Sequence, residues 1–336
     1  MEAIRAENLV KTFKLRKHEY VHALDGLTLA VPEGGIFGLV GPDGAGKTTT
    51  IRLLTSIMDP TAGNAWVAGL HTVRDAEAIK ESIGYMSQRF GLYPDLTVME
   101  NINFYADIYT VPAAARPGTI KRLLAFSNLE PFVDRLAGNL SGGMKQKLGL
   151  ACALVHTPKI LFLDEPTSGV DPVSRRDLWR IIYQLLGEGV TIFIATSYMD
   201  EAERCGRVGL IHKGKLMMSG TPDELKNLMQ GAIIQFVTSN SRAAMGALRH
   251  RVKADSIGLF GDRIHIVTPT PDSTAAEAKA ILSGAGVRIT DERRVEPTLE
   301  DVFVSVLSRA EQDGQARASA QAAEPPPDEE RRDERG

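Results

Sequence analysis

Nine residues, Gly41-Pro42-Asp43-Gly44-Ala45-Gly46-Lys47-Thr48-Thr49, constrain this chain more than any other stretch. They match the phosphate-binding pattern G-x-x-x-x-G-K-[ST]. Before them runs Ile36-Phe37-Gly38-Leu39-Val40, an apolar run that reads as a buried strand. After them Thr48 to Met58 sets Ile51, Leu54 and Met58 at helical spacing. A strand, a glycine-rich turn and a helix start are what phosphate binding requires. The glycines let backbone N–H groups curl round an anion without Cβ clashes. The helix start adds unpaired N–H groups and the positive end of its dipole. Lys47 would reach the β- and γ-phosphates, and the Thr48 hydroxyl would ligate Mg²⁺. The bland alternative is an ordinary turn. The four fixed positions arise by accident in roughly one chain per hundred of this length, before the strand–helix setting is required as well.

The 336 residues, 43% hydrophobic and 24% charged, suffice for one large domain and a smaller one. A net charge of −3 does not suggest a nucleic-acid-binding surface. Arg249, His250, Arg251 and Lys253 read as a solvated basic face. Cys152 and Cys205 lie far apart, fitting buried thiols better than a disulfide or a metal site. The start Met1-Glu2-Ala3-Ile4-Arg5 lacks a signal-peptide profile, and no apolar run reaches the roughly 18 residues of a membrane helix. The expectation is a soluble chain whose membrane role, if any, comes through a partner.

Taken in order, residues 4 to 31 read as short strands, and Gly34-Gly35 as a turn. Asp59 to Gly63 is a turn, Asn64 to Val67 a strand, Asp75 to Ser82 a helix, and Ile83 to Ser87 a strand ending at Gln88. Thr97-Val98-Met99-Glu100 is a capping box opening a helix to about Tyr109. Pro112 and Pro117 then break the chain, with helices expected near Thr119–Phe126 and Leu129–Leu136. A helix follows Leu140-Ser141-Gly142-Gly143-Met144. Ile160 to Leu163 forms a strand ending in Asp164-Glu165, and Val190 to Ala195 another. Strands alternating with helices predict a largely parallel, covered sheet. Lys213-Gly214 is a hairpin turn, and Thr221-Pro222-Asp223-Glu224 starts a helix. Residues 233 to 308 read strand, helix, strand, strand, helix, strand, helix, with strands at Ile233–Val237, Ser256–Phe260, Ile264–Val267 and Val287–Ile289. From about Glu311 the composition predicts disorder. The domains expected are therefore 1–230, with a helical insert at about 97–140, then 231–309 and a tail at 310–336.

An acidic pair closing an apolar strand says little alone. In one sheet with a phosphate loop, Asp164 can hold Mg²⁺ through water and Glu165 can polarise an attacking water. With Leu140-Ser141-Gly142-Gly143 ahead of Ile160–Glu165, residues Ile4 to Met229 resemble the ATP-binding subunits of ABC transporters. The resemblance implies a phosphate-loop ATPase of the α/β class, with a helical insert and an antiparallel β subdomain, followed here by a small α+β C-terminal domain. It matches Gln88 to the family's Q-loop, where it serves catalysis and the metal. Asp171 matches the D-loop, and Phe13 the position that stacks on adenine. It implies ATP and Mg²⁺ as ligands. Two such domains would pair head to tail, with ATP between the phosphate loop of one and Ser141, Gly142 and Gly143 of the other. Gly41 to Gly46, Ser141 to Lys145 and Pro297-Thr298-Leu299-Glu300-Asp301-Val302-Phe303 look like the ABC-2 exporter branch, which serves drug, lipid or polysaccharide export. That implies membrane subunits as partners, a place on the cytoplasmic face of the membrane, and no nucleic acid. Arg89, Phe90, Leu92 and Tyr93 would line the groove for a membrane subunit's coupling helix, or simply pack their own loop.

One position departs from the family. Ser197 stands where a histidine usually contacts the γ-phosphate and orients the glutamate. Serine can hydrogen-bond but carries no charge. Losing one such contact costs roughly 2.7–4 kcal/mol. Either this site is slow and works beside a different ATPase subunit, or Glu165 and its neighbours suffice in a homodimer; the reading favours the heteromeric pairing. The rivals are a soluble ABC ATPase of translation or DNA repair and an ATP-binding regulatory partner that barely hydrolyses.

Overall fold

Three strands that lead toward the expected site are buried on both faces: β3 (Ile36–Val40), β7 (Ile160–Asp164) and β8 (Thr191–Thr196). Near-continuous apolar runs of this kind fit only a sheet covered on both sides. The computed structural model describes residues 1–16, 19–88, 91–229, 231–249 and 251–308. Arg89, Phe90, His250 and the tail expected at 310–336 lie outside them. The chain divides into two compact units between Glu224 and Leu225.

In the first unit a six-stranded sheet has the order β10-β9-β3-β8-β7-β6, with β6 (Ile83–Met86), β9 (Arg207–His212) and β10 (Lys215–Gly220). Five strands run parallel and β10 joins β9 as an antiparallel hairpin. A second, antiparallel sheet has the order β2-β1-β4-β5, built from β1 (Glu2–Arg16), β2 (Glu19–Pro32), β4 (Ala62–Val67) and β5 (Leu70–His71). One core cluster joins Ile4, Leu9 and Leu27 of this sheet, Ile51 and Leu54 of α1 (Lys47–Leu54), and Phe37, Phe162 and Phe193 of the parallel sheet. The rings of Phe37 and Phe193 stack at 5.4 Å.

The helical insert holds α3 (Val98–Ile108), α4 (Arg116–Ser127) and α5 (Gly142–Ala153). The Thr97 capping box is present: Glu100 N–H donates to Thr97 Oγ1 and Thr97 N–H to Glu100 Oε2. In sequence α2 (Ala76–Ser82) precedes β6, α6 (Pro172–Gly187) lies between β7 and β8, α7 (Met199–Ala202) follows β8, and α8 (Pro222–Asn227) follows β10. Both cysteines are buried free thiols; burial raises both, Cys205 to about 12, which makes them inert.

Several local expectations differ from the structure. β1 and β2 are two long strands, not several short ones. Register shifts between Ala6 and Lys11, beside Asn8 at φ 50°, interrupt the alternation that marks a strand. α1 stops at Leu54, because Ser56 adopts φ 57° and the N–H groups of Ile57 and Met58 turn back onto Arg52 O; Met58 is off the helix. Pro117 opens α4 rather than breaking the chain, since the first turn needs no donor there. The helix expected near 129–136 is only a 3₁₀ turn, Glu130–Phe132.

The second unit contains β11 (Ala232–Thr238), α9 (Ser241–Leu248), β12 (Ser256–Phe260), β13 (Arg263–Thr268), α10 (Pro271–Gly284), β14 (Ile289–Val295) and a final helix over 299–308. Its sheet, β12-β13-β11-β14, is antiparallel throughout. The strand expected at 287–289 begins at Ile289 instead. Val287 closes α10, its N–H bonded to Leu282 O and its side chain in the core with Phe236, Ile264 and Ile266.

The segment Pro297–Phe303 has a structural explanation. Thr298 N–H and Oγ1 donate to Asp301 Oδ2, and Asp301 N–H returns to Thr298 Oγ1, capping the last helix. Asp301 Oδ1 meets His265 Nδ1 at 2.7 Å, and Gln235 bridges His265 Nε2 to the Arg293 guanidinium. Burial alone would raise the Asp301 carboxyl, but the hydrogen bonds from His265 and Thr298 outweigh it and hold it below the usual range. A depressed carboxyl stabilises the fold above its unfolded value, about 3.9, and loses that contribution as pH falls through its lower folded value. Asp301→Ala is therefore expected to cost roughly 2–4 kcal/mol at neutral pH. In thermal unfolding followed by circular dichroism, the gap from wild type should narrow below about pH 4. A gap that stays constant down to pH 3 contradicts this account.

Candidate functional site

Parallel strands end on the same edge of a sheet, and ligands of open α/β sheets sit beyond that edge. Here β3 runs into Gly41, β7 into Asp164 and Glu165, and β8 into Thr196 and Ser197, with Val40 paired to Thr196 and Asp164 to Ala195. β6 ends at Met86, two residues before Gln88. An open cleft of about 520 Å³ at this edge is lined by Phe13, Asp43, Gly44, Gly46, Lys47, Thr48, Thr49, Gln88 and Glu165. Nine of the residues singled out from the sequence thus share one cleft.

The loop is pinned to its neighbours. Gly41 N–H donates to Thr196 O, Ala45 N–H to Pro42 O, and Gly214 N–H to Ala45 O. Gly46 is required twice over: its φ is 110°, and a Cβ there would lie 2.6 Å from Ala23 O. Lys47 starts α1 with its ammonium turned into the loop. It donates to the carbonyls of Gly41 at 2.7 Å and Pro42 at 3.1 Å, and pairs with Glu165 Oε1 at 3.2 Å. Lys47 and Glu165 are each 5% exposed. The other carboxylate oxygen, Glu165 Oε2, accepts from both the N–H and the hydroxyl of Ser197, each at 3.3 Å. Glu165 itself adopts φ 51°, an uncommon backbone state for a residue with a Cβ.

Thr48 Oγ1 donates to Asp164 Oδ1 at 3.1 Å, so these two oxygens already face one another. Asp164 Oδ2 is buried without a hydrogen-bond partner among the described residues. Burial pushes the Asp164 carboxyl above its usual range, the Glu165 charge adds to this, and the Thr48 hydrogen bond opposes it. A hydroxyl and a carboxylate with a free buried oxygen, at a cleft that Gln88 also lines, make an oxygen set that fits a hard cation such as Mg²⁺. Phe13 reaches the cleft because β1 pairs with β2 in the register Phe13 to Val21 and Thr12 to His22. Val21, His22 and Ala23 accordingly line it too. Motif reading missed them, since only the hairpin register brings them there.

Ser141, Gly142, Gly143 and Asp171 are not in this cleft. Ser141 caps α5, its Oγ accepting from Met144 N–H, and remains exposed. A Cβ on Gly143 would lie 2.3 Å from Ser174 Oγ, so only glycine lets α5 start this close to α6. Asp171 caps α6, accepting from the N–H groups of Val173 and Ser174 at 3.0 Å, and these bonds hold its carboxyl below the usual range. Tyr93 is held to α3, packing on Phe104 at 4.5 Å and exchanging hydrogen bonds with Asn101, while Leu92 is half-buried. Among the described residues no helix is long and apolar enough to cross a membrane.

Residues 24–168 match the family model described as ABC transporter. The chain is 43% identical over 290 residues to the probable multidrug ABC transporter ATP-binding protein YbhF of Escherichia coli (strain K12), covering 84% of this chain. It spans only about half, 49%, of that relative's length. It is 32% identical over 323 residues to the daunorubicin resistance ATP-binding protein DrrA2 of Streptomyces coeruleorubidus, covering 95% of this chain and 99% of that protein. Among solved structures, a dimeric ATP-binding cassette in a post-hydrolysis state with ADP and Pi superposes with a TM-score of 0.60 at 25% identity, covering 65% of this chain and 98% of that one.

Gly46→Ala is expected to destabilise the first unit by roughly 2 kcal/mol or more, from the positive φ and the clash at Ala23 O together. Differential scanning calorimetry reads this directly. An unchanged transition would mean that the loop is not held as described.

Proposed function

The chain belongs to the ABC transporter ATP-binding family, and from that premise we propose that it binds and hydrolyses ATP to power an exporter through membrane-embedded partner subunits. One observation carries the reading. Glu165 ends a buried strand with its carboxylate held between the Lys47 ammonium and Ser197, directly beside the Thr48–Asp164 oxygen pair. Within the drug, lipid or polysaccharide class of cargo, the resistance and multidrug names of the relatives support a drug-like one.

In this reading Gly41 to Thr49 cradle the phosphates through backbone N–H groups, and Phe13 stacks on the base. Lys47 exchanges its carbonyl partners for phosphate oxygens and releases Glu165, which then accepts the proton of the attacking water. Thr48, Asp164 and Gln88 hold Mg²⁺, which when bound neutralises charge on the phosphates. Ser197 orients Glu165 by its hydroxyl and N–H but supplies no positive charge. Ser141, Gly142, Gly143 and Asp171, lying outside the cleft, serve the nucleotide of a second ATPase domain. The missing histidine favours a partner subunit different from this chain, on the cytoplasmic face of the membrane.

The test is steady-state ATP hydrolysis by the purified chain. Wild type is expected to turn over slowly, Glu165→Gln to abolish turnover, and Ser197→His to raise it about tenfold or more. No gain from Ser197→His would remove the argument for a slow site. Absence of hydrolysis in all three would overturn the ATPase reading.

A further inference from the structure

Glu201 is a fully buried carboxylate that the proposed hydrolysis does not use. A buried charge is costly unless its oxygens are satisfied. Both are satisfied here by hydroxyls: Oε1 accepts from Thr167 Oγ1, and Oε2 from Thr196 Oγ1 at 2.7 Å. Both threonines are also fully buried. Burial raises the Glu201 carboxyl, while these two bonds pull it back.

The two threonines sit at the places that fix the reacting groups. Thr196 ends β8 immediately before Ser197; its Oγ1 also accepts from Tyr198 N–H, and its carbonyl accepts from Gly41 of the phosphate loop. Thr167 lies two residues after Glu165, in a turn closed by Ser168 N–H to Glu165 O and Val170 N–H to Thr167 O. That turn leads to Asp171 and the start of α6. Glu165 holds an uncommon positive φ, which persists only where surrounding contacts over-determine it. A second tie runs parallel to the first: Arg175 of α6 pairs with Asp200 at 3.2 Å and lies over the Tyr198 ring at 4.4 Å.

We propose that Glu201 is a positioning residue for hydrolysis: by bridging Thr167 to Thr196 it sets the distance between Glu165 and Ser197. The inference rests on the ATPase reading. It assigns the effect to hydrogen bonds and not to volume, because either threonine's methyl group could be packed by an apolar side chain, whereas only a hydroxyl reaches the carboxylate.

The experiment measures kcat and KM for Mg-ATP on the full chain, with thermal unfolding alongside, for wild type, Glu201→Gln, Thr167→Val and Thr167→Ser. Valine keeps the shape of threonine and loses the hydroxyl; serine keeps the hydroxyl and loses the methyl. Glu201→Gln and Thr167→Val are expected to lower kcat about tenfold with KM changed less than about twofold, and Thr167→Ser to stay near wild type. If Glu201→Gln does not fold, the Thr167 pair still decides. Wild-type kcat in Thr167→Val, or equal losses in Thr167→Val and Thr167→Ser, would overturn the proposal and leave the ATPase reading standing. A wild type that never hydrolyses ATP would instead overturn that reading, and this inference with it.

Discussion

The arrangement at the sheet edge depends on one buried pair of opposite charges, Lys47 and Glu165, 3.2 Å apart and almost free of solvent. Taking two ions out of water costs several kcal/mol each, and their attraction offsets this only when further hydrogen bonds complete both. The chain supplies them from three strand ends. Carbonyls of Gly41 and Pro42, beyond β3, hold the ammonium; Ser197, beyond β8, holds the carboxylate that β7 delivers. Buried apolar residues of similar size would stabilise such a position as well or better. Keeping two charges there makes sense if a ligand's negative charge is to replace Glu165 as the partner of Lys47 and free the carboxylate, which is the role proposed for them.

The same physics separates what was legible in the sequence from what was not. The phosphate loop, the Asp164–Glu165 pair and Ser197 were legible because each follows an apolar run and shares a parallel sheet, so the strand ends must meet. The Thr97 capping box was legible because its chemistry is local. Helix ends were less so: α1 stops at Leu54 through backbone turns at Ser56 that no side chain announces. Pro117 misleads because proline breaks a helix interior yet suits its first turn. Val21 and His22 were invisible because only long-range hairpin register brings them to the cleft. The Glu201 clamp was invisible for a similar reason. Thr167, Thr196 and Glu201 are ordinary residues until the fold joins the turn after β7 to the stretch running from β8 into α7.

The two glycine-rich elements lie apart, and only the phosphate loop lines the cleft. Lys47 and the loop face their own cleft, while Ser141 to Gly143 begin a helix outside it, packed so closely on α6 that Gly143 admits no side chain. In the proposed function that outlying element serves a second domain's nucleotide, which is why the proposal needs a second ATPase domain. The second unit has a buried polar network of its own. Its Asp301–His265–Gln235–Arg293 network accounts for part of the Pro297–Phe303 segment through capping and a buried hydrogen bond.

Every role proposed here stands on a Mg-ATP site at the carboxyl edge of the parallel sheet, built from Lys47, Thr48 and Asp164. Isothermal titration of the Glu165→Gln chain with ATP, with and without Mg²⁺, tests it most directly. One site per chain is expected, tightened by Mg²⁺, lost in Lys47→Ala, and indifferent to Mg²⁺ in Asp164→Asn. Binding that survives Lys47→Ala, or that ignores Mg²⁺ in the parent chain, would contradict it.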